Sequence, residues 1–450
     1  MPPHSLTFPH SDDFVLAHAR VPLCLTTAGA LPPAGEGLAA CDLLIQGGRI
    51  AAMAAPGTLG SAAPVVDCDQ GVVLPRLVDL HTHLDKGHIW SRRANPDGTH
   101  LGARVSVMED RAANWNADDV RARMDFALRC AYAHGTSAVR THIDSLGKQA
   151  AISWPVFAEM REAWKGRVDL QAVALFPIDY ALDDEPMFRQ LVAQVTHHGG
   201  VLGGMTYLGA VDERCHRALA RLFEAAAANG LDLDFHVDET DESEARTLAA
   251  IADTVLATGF TGRVVAGHCC ALALAPDAER EDTIKRVADA GLSVVSLPIC
   301  NMYLMGRSPH RTPRWRGVTT VHEFAAAGVS VSVASDNTRD PFYAYGDLDL
   351  LEVYRESVRI LQLDHTGPDW LRLVASTPAG VMGLPGHGRL AAGLSADLIV
   401  LRARSFNEMN ARPQNDRAVL VKGRPIDTTP PDYRELDPWV GAPYGDRPQG

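Results

Sequence analysis

Two histidines one residue apart, His81 and His83, follow an apolar run that ends at Leu80. The run over residues 71–80 has the composition of a buried strand. Side chains alternate across a strand, so both imidazoles should point the same way. Neutral imidazole is a good ligand for divalent zinc and iron. The pair therefore indicates half of a metal site, with chance proximity among 18 histidines as the alternative.

Other ionisable side chains follow later apolar runs in the same manner. One histidine at the end of a strand is more often a hydrogen-bonded core residue than a ligand. Several ionisable groups at the ends of different strands favour a shared metal instead. The residues with this placement are His81, His83, His236, His268 and Asp336.

The centre of the chain alternates between apolar runs and segments with helical spacing, such as residues 120–133, 154–164 and 242–256. The eight runs cover residues 71–80, 136–141, 170–176, 201–207, 231–235, 263–266, 292–297 and 329–334. Such alternation implies parallel strands with right-handed crossovers. We therefore expect an α/β fold, a (β/α)8 TIM-like barrel with its active site at the carboxyl ends of the strands. A doubly wound sheet would alternate similarly, but no GxGxxG follows the first strand.

Short strand-like runs also occur towards both ends of the chain, at residues 43–51, 64–67, 396–401 and 418–426. They predict a small β-sandwich assembled from both ends. The expected domains are residues 1–73 and 389–450 as the two parts of the sandwich, with the barrel over residues 74–388. The tail after Thr428 is rich in Pro, Asp and Gly and is expected to be irregular.

Composition limits the cellular compartments and the classes of partner that are expected for this protein. The 42 basic and 55 acidic residues give a formal charge of −13, which disfavours nucleic acid and anionic membrane as partners. The eight cysteines are dispersed without a CxxC pair, so a disulfide framework is not expected. This cysteine usage predicts a protein of the reducing cytoplasm. The first residues do not form a signal peptide, and no apolar stretch is long enough to span a membrane.

Several motifs resemble the amidohydrolase superfamily of metal-dependent hydrolases, and its cytosine deaminase branch in particular. The shared pieces begin with His81-x-His83 and Val139-Arg-Thr-His-Ile-Asp144, and continue with His236-Val-Asp-Glu239 and His268. Later pieces are Asn301-Met-Tyr-Leu-Met-Gly-Arg307, Arg316-Gly-Val-Thr319, Asp336-Asn-x-x-Asp-Pro341 and Gly393-Leu-Ser-Ala-Asp-Leu-Ile-Val400. The resemblance runs from about residue 40 to about residue 426, with the motifs in the expected order.

The resemblance implies one divalent metal held by His81, His83, His236 and Asp336. The fourth strand offers no lysine of the kind that binuclear relatives carboxylate, so a mononuclear site is expected. Fe²⁺ and Zn²⁺ suit these ligands, and Mn²⁺ is a further alternative. A divalent metal lowers the pKa of its bound water towards about 7, and hydroxide is thereby available at neutral pH.

The resemblance also implies three catalytic residues. Glu239 would protonate a ring nitrogen and then help a proton reach departing ammonia. This role requires a raised pKa, which a partly dry pocket would supply. Asp336 would accept a proton from the metal-bound water, and His268 would orient that water or polarise the substrate. The alternative for Glu239 is a place in the first turn of the next helix.

Residues expected to contact substrate depart from the cytosine deaminase pattern. Ile178 stands where those relatives carry a glutamine, Asn337 where they carry a second acid, and Phe342 where they carry a tryptophan. Asp179 could replace the glutamine as an acceptor. Lys86, in a His-x-His-x-Asp-Lys pattern found in relatives acting on triazines and pterins, could hold a substrate oxygen. The alternative for Lys86 is a surface pair with Asp85.

The expected function is therefore hydrolytic deamination of a small aminated N-heterocycle. Metal-bound hydroxide would attack a C–NH2 carbon of a cytosine-like pyrimidine and release ammonia. The alternatives are a pterin or s-triazine aminohydrolase, a hydrolase of a cyclic amide or N-alkylamine, and a ring-binding protein without activity. The expected partners are the heterocycle and water, and a homo-oligomer is possible.

Overall fold

The structure, a computed structural model, describes residues 6–27, 29–206, 209–365 and 368–441. The strands are, in chain order, β1 (Phe14–Pro22), β2 (Pro33–Gly35), β3 (Leu38–Gln46), β4 (Arg49–Ala54), β5 (Val65–Asp67), β6 (Val73–Pro75), β7 (Leu77–Thr82), β8 (Thr136–Asp144), β9 (Asp169–Leu175), β10 (Leu202–Met205), β11 (Leu233–Val237), β12 (Val264–His268), β13 (Ser293–Ser296), β14 (Ser330–Val333), β15 (Leu398–Val400), β16 (Ala418–Val421) and β17 (Arg424–Pro425).

The α-helices are α1 (His100–Asn114), α2 (Ala117–Ala133), α3 (Ala150–Ala163), α4 (Tyr180–Asp183), α5 (Glu185–His197), α6 (Glu213–Asn229), α7 (Thr247–Thr258), α8 (Asp277–Asp289), α9 (Pro298–Leu304), α10 (Val321–Ala326), α11 (Leu350–Ile360), α12 (Ser376–Val381), α13 (Phe406–Ala411) and α14 (Asp437–Val440). Short 3-10 helices cover Leu23–Leu25, Gly147–Gln149, Cys270–Leu274, Pro368–Val374 and Tyr433–Leu436.

The chain divides into two compact units. The first takes in the chain up to Asp79, Arg129–Ala138 and Asp349–Pro430. The second takes in Leu80–Leu128, Val139–Leu348 and the chain from Pro431 onwards.

The first unit contains two sheets, and the strands predicted towards both ends of the chain are present in it. One sheet has the order β2-β3-β1-β5 with β4 paired to β3, and the other has the order β17-β16-β15-β6. Both sheets contribute to one hydrophobic cluster, in which Leu16 and Leu43 pack with Leu398 and Leu420, all fully buried. Burial of these apolar side chains stabilises the unit, at about 25 cal/mol for each Å² removed from water.

The second unit contains the alternating strands and helices. β10 to β14 form a five-stranded sheet in which every neighbouring pair is parallel. β7 and β8, which belong to this unit from Leu80 and from Val139 onwards, form a three-stranded sheet with β9. Isolated parallel bridges join Val173 to Val201 and Thr82 to Asp336. The eight predicted strands are thus present in order with helices between them, and the α/β class is confirmed. Tyr207, at the end of the fourth predicted run, lies outside the described residues.

The helix predicted to begin near residue 242 begins instead at Thr247. The carboxylate of Asp238 accepts hydrogen bonds from the backbone N–H groups of Thr247 and Leu248, at 3.0 Å each. A carboxylate from outside the helix therefore satisfies its first donors, and residues 239–246 form a loop. Glu239 is consequently not in the first turn of α7, which was the alternative to its catalytic role.

The expectation of an irregular tail after Thr428 is wrong for residues 433–440, where a 3-10 helix leads into α14. Asp432 and Glu435 form a reciprocal capping box at its start, which explains why the helix begins there. Within the described residues, no helix is long and apolar enough to cross a membrane. All eight cysteines lie in the described part of the chain, where they are buried and form no disulfide.

Candidate active site

Four imidazole rings pack together at the carboxyl ends of β7, β8 and β11. The ring centroid of His81 lies 3.9 Å from that of His142 and 4.6 Å from that of His236. His83 completes the group, with its ring centroid 5.1 Å from that of His236. All four side chains are buried. Strand alternation does place His81 and His83 together, as the sequence indicated.

Three of these imidazoles and one carboxylate bring ligand atoms to a single point. The Nε2 atoms of His83 and His236 are 3.2 Å apart. Asp336 Oδ1 lies 3.3 Å from Nε2 of His83 and 3.7 Å from Nε2 of His81. Atoms bound to one zinc ion at about 2.0–2.1 Å cannot be more than about 4.2 Å apart. Each of these three separations meets that condition. The ligand atoms of His81, His83 and Asp336 lie within 4.8 Å of one another, and so do those of His81, His142 and His236, so His142 belongs to the same cluster as the four predicted ligands.

The charge state of the group suits a cation. Burial, reinforced by repulsion from neighbouring imidazoles, lowers the pKa of His81 and His236 well below the usual range. The pKa of His83 is lowered in the same way, by burial and then by the positive charge of Lys86. Burial and the nearby Glu239 carboxylate raise the pKa of Asp336. Neutral imidazoles keep a lone pair for a metal. Within the described residues, neither ring nitrogen of His81 has a hydrogen-bond partner. Such buried polar atoms are costly unless a ligand satisfies them.

Glu239 lies beside this cluster in a network of polar side chains. Its Oε1 accepts a hydrogen bond of 3.1 Å from Nδ2 of Asn301 and lies 3.3 Å from Nδ1 of His268. Its Oε2 lies 3.5 Å from Nε2 of His100. Asn301 Nδ2 is also 3.1 Å from Nδ1 of His268, so one amide links the two side chains. This geometry fixes the direction in which the Glu239 carboxylate faces.

The expectation of a raised pKa for Glu239 is wrong. Burial opposes its ionisation, but His268 and then His100 and Lys86 outweigh burial and lower the pKa to about 2. The carboxylate is therefore ionised at neutral pH. The three cationic or polar neighbours are close in space but distant in sequence.

The backbone at the strand ends is unusual. His268 and Asp336 have φ values of 69° and 63°, in the left-handed region that side chains other than glycine rarely adopt. His268 is the last residue of β12, and Asp336 lies three residues after the end of β14. Strained conformations of this kind persist where the surrounding structure holds them, and they concentrate at functional sites.

A cavity of about 540 Å³ opens onto His83, His236, Glu239 and His268. Of the predicted substrate contacts, Lys86, Asp179, Asn337 and Phe342 line it and Ile178 does not. The Ile178 side chain is buried, against Gly204.

Lys86 is 6% exposed, and its Nζ lies 4.5 Å from the centroid of the Phe342 ring. The alternative interpretation of Lys86 as a surface residue is therefore wrong. The carboxylate of Asp179, by contrast, is already engaged by Nε of Arg214 at 3.1 Å. The cavity thus presents one cation stacked on an aromatic ring to a bound molecule.

Three residues of the site were missed from the sequence. His142 belongs to the motif over residues 139–144 at the end of β8 and was not predicted as a ligand. The signal available in the sequence was its position in this motif, two residues after Arg140. Asn301 also lies in a quoted motif, although an uncharged amide gave no indication of its role. His100 carried no signal, because it precedes no strand and reaches Glu239 only through the fold.

Comparison with known proteins agrees with the geometry. Residues 178–427 match the sequence model of the amidohydrolase family. The chain is 54% identical over 435 residues to a pterin deaminase of Rhizobium rhizogenes, covering 96% of this chain and 98% of that protein. It is 25% identical to the N-isopropylammelide isopropyl amidohydrolase of Pseudomonas sp., over 81% of this chain and 88% of that protein.

Among solved structures, 5-methylcytosine deaminase from Klebsiella pneumoniae, liganded with phosphonocytosine, is similar with a TM-score of 0.77. Its sequence identity is 24%, and the match covers 90% of this chain and 97% of that one. This likeness extends the shared fold over most of the chain. The family expected from the sequence motifs is thereby confirmed: the chain belongs to the amidohydrolase family.

Proposed function

We propose that this protein is a metal-dependent deaminase of pterins. In the reaction, water replaces the amino group at carbon 2 of a 2-amino-4-oxopteridine, giving the 2,4-dioxo ring and ammonia. The observation that carries the proposal is the 54% identity, over almost the full length of both chains, to a pterin deaminase. We therefore favour pterin over cytosine as the substrate. The glutamine that contacts the pyrimidine in cytosine deaminases is replaced here by Ile178, which is buried.

The metal would be held by His81, His83, His236 and Asp336. Their convergence, the neutral imidazoles and the unpartnered nitrogens of His81 all fit one divalent ion. When bound, such an ion lowers the pKa of a coordinated water towards neutrality and polarises bonds to oxygen. Zn²⁺, Fe²⁺ and Mn²⁺ all suit three imidazoles and a carboxylate.

Glu239 carries the proton between the reactants. Because its pKa is depressed to about 2, the carboxylate is ready to accept a proton from the attacking water. It then transfers this proton to the ring nitrogen next to the amino-bearing carbon. A second proton, from the new hydroxyl group, goes to the leaving amine, and the carbon keeps the oxygen as a carbonyl. Asn301 holds Glu239 in the required direction throughout.

Asp336 and His268 complete the proton transfers. Asp336 takes the second proton from the new hydroxyl group and passes it to the leaving amine, which departs as ammonia. His268, held through Asn301, orients the water or the substrate. Phe342 offers a flat surface for the pteridine, and the Lys86 ammonium would hold its 4-oxo group.

We also propose that the alternating strands close into a (β/α)8 barrel and that the two sheets of the first unit form a β-sandwich. The parallel bridges at Thr82–Asp336 and Val173–Val201 support closure, because they connect the edges of the three-stranded sheet to the edges of the five-stranded sheet. The shared apolar cluster supports the sandwich. The division into residues 1–73, 74–388 and 389–450 is part of this proposal.

An ammonia-release assay with product identification tests the function. Zinc- and iron-loaded protein is incubated separately with pterin, cytosine, isocytosine, ammelide and N-isopropylammelide. We expect ammonia and the 2,4-dioxopteridine from pterin, with the largest kcat/KM. Ammonia from cytosine alone would contradict the pterin assignment. Isopropylamine from N-isopropylammelide would favour the N-alkylamine alternative, to which the similarity with the Pseudomonas amidohydrolase points.

A further inference from the structure

One face of α1 forms a wall of the active-site cavity. The lining residues from this helix are His100, Arg104, Val107, Met108 and Arg111. Residues three or four apart share a face of a helix, so these side chains form one stripe along two to three turns. The stripe starts at His100, whose Nε2 lies 3.5 Å from Oε2 of Glu239.

Most charged side chains around the cavity are paired; apart from Lys86, which stacks on Phe342, Arg104 on this stripe is the cation without a counter-charge among the described lining residues. Arg111 Nη1 lies 3.1 Å from Oδ2 of Asp144, and Asp179 is paired with Arg214. Arg104 is exposed and forms no ion pair or side-chain hydrogen bond within the described residues. A positive charge without a counter-charge beside a ligand cavity attracts an anionic group.

The position of Arg104 relates to the length of the substrate. The α-helix rises 1.5 Å per residue, so the backbone of Arg104 is about 6 Å further along α1 than that of His100. The amino-bearing carbon 2 and carbon 6 of a pteridine lie at opposite ends of the fused rings. A pterin with its amino group at Glu239 and its long axis along α1 therefore directs its carbon-6 substituent towards Arg104.

The size of the cavity agrees with a substituted ring. Its volume of about 540 Å³ falls in the range of roughly 300–1,000 Å³ that accommodates drug-sized ligands. A bare two-ring heterocycle is smaller than such ligands. Val107 and Met108, about one turn beyond Arg104 on the same face of α1, add apolar surface to the wall of the cavity.

We propose that the site prefers pterins that carry a carboxylate on the carbon-6 substituent, and that Arg104 binds this carboxylate. The inference rests on the proposed pterin deaminase function. A guanidinium and a carboxylate form charge-assisted hydrogen bonds, often through two parallel contacts. Because Arg104 is exposed, solvent and salt weaken the attraction. The interaction is far from the reacting carbon, so it binds substrate and transition state alike and affects KM rather than kcat.

The test compares three substrates: pterin, 6-hydroxymethylpterin and pterin-6-carboxylate. They are assayed with metal-loaded wild type, Arg104→Gln, Arg104→Lys and Arg217→Gln. Arg217 is an exposed residue of α6 that does not line the cavity, so its variant controls for the loss of one positive charge. We expect Arg104→Gln to lose about three- to tenfold in kcat/KM for the carboxylate, through KM. The two neutral substrates should change less than about twofold.

Two further outcomes complete the expected pattern. Arg104→Lys should retain most of the preference, and Arg217→Gln should behave as wild type. High salt should reduce the wild-type preference for the carboxylate and have no such effect in Arg104→Gln. Equal losses for all three substrates in Arg104→Gln, or a wild type that favours the neutral rings, would overturn the inference.

Failure of the underlying function would be recognised separately. If none of the three pterins is deaminated, the proposed function is wrong. Calorimetric binding of pterin-6-carboxylate to wild type and Arg104→Gln then still decides the role of Arg104. Unchanged affinity, or no binding to wild type, would refute that role.

Discussion

The buried groups around Asp349 in the first unit and the buried imidazoles around His81 in the second differ in whether their polar atoms are already paired. In the first unit, Arg417 and Asp349 form two parallel hydrogen bonds of 2.7 and 2.6 Å. Buried Asp42 accepts from the backbone N–H groups of His18 and Gly57, at 2.8 Å each. In the second unit, His83 and His236 bring ring nitrogens to 3.2 Å of each other, and His81 has unpartnered nitrogens within the described residues.

The difference separates structural from ligand-binding polarity. A buried ion pair whose donors and acceptors match is complete without any other molecule. A group of imidazoles that face one another with lone pairs is complete only with a cation. The Arg417–Asp349 pair thus contributes to the packing of the first unit, as the buried Arg140–Asp234 pair does in the second, whereas the imidazole cluster is an arrangement that a bound cation would complete.

The largest effect on activity is expected for Glu239→Gln. It removes the proton acceptor while keeping the shape and a hydrogen-bonding side chain. We expect kcat for pterin to fall about 10³–10⁴-fold, near the upper end of what acid–base catalysis contributes. Metal content by elemental analysis and thermal stability should change little. Glu244→Gln, at an exposed site in the same loop, is the control. Wild-type turnover by Glu239→Gln would remove Glu239 from the mechanism.

Metal removal should destabilise the protein, since the imidazole cluster of the second unit is an arrangement that a bound cation would complete. At metal concentrations about a thousand times the dissociation constant, binding contributes about 4 kcal/mol. Differential scanning calorimetry should show a lower Tm after chelation and recovery with zinc. His83→Ala should abolish the metal-dependent rise, and His216→Ala, on the exposed surface of α6, should retain it. A Tm insensitive to metal in wild type would contradict the assigned ligands.

Breaking the complete pair of the first unit should also be costly. Arg417→Met leaves the Asp349 carboxylate buried and uncompensated, so the free energy of unfolding should fall by about 3–4 kcal/mol in denaturant titration. Adding Asp349→Asn should restore much of this loss and retain the acceptor for the N–H of Leu351. No recovery in the double variant would mean that packing, rather than charge, dominates.

The same pair has a defined pH dependence. Burial opposes ionisation of Asp349, but hydrogen bonds from Arg417 outweigh it and lower the pKa below 3.8. The stabilisation is therefore present above pH 3.8 and is lost as the pH falls through the lower pKa of the folded state. Acid titration of wild type should show this loss, and Arg417→Met should lack it.

The smallest expected effect concerns Lys86. Lys86→Met keeps the packing against Phe342 and removes the charge, so KM for pterin should rise about tenfold with a smaller change in kcat. Steady-state kinetics measures both constants. Lys148→Met, at an exposed position, is the control. A loss confined to kcat would indicate that Lys86 acts in the chemical step instead.

The sequence predicts the second unit well where local pattern decides the structure. Apolar runs of four to ten residues locate its eight strands, and the polar residues that follow them include every proposed metal ligand. Prediction fails where residues distant in sequence determine a pKa or the start of a helix. The low pKa of Glu239 depends on His100 and His268, which only the fold brings near. The start of α7 depends on Asp238, nine residues upstream of Thr247.

The pairing of β6 with β15 has a consequence for the order in which this chain folds. Pro75 is paired with Leu398, about 320 residues later, in one antiparallel ladder. At synthesis rates of roughly 5–20 residues per second, the ribosome needs some tens of seconds to supply the second strand after the first. During that interval the edge of β6 has no native partner, and its apolar side chains depend on chaperones or on early collapse for protection.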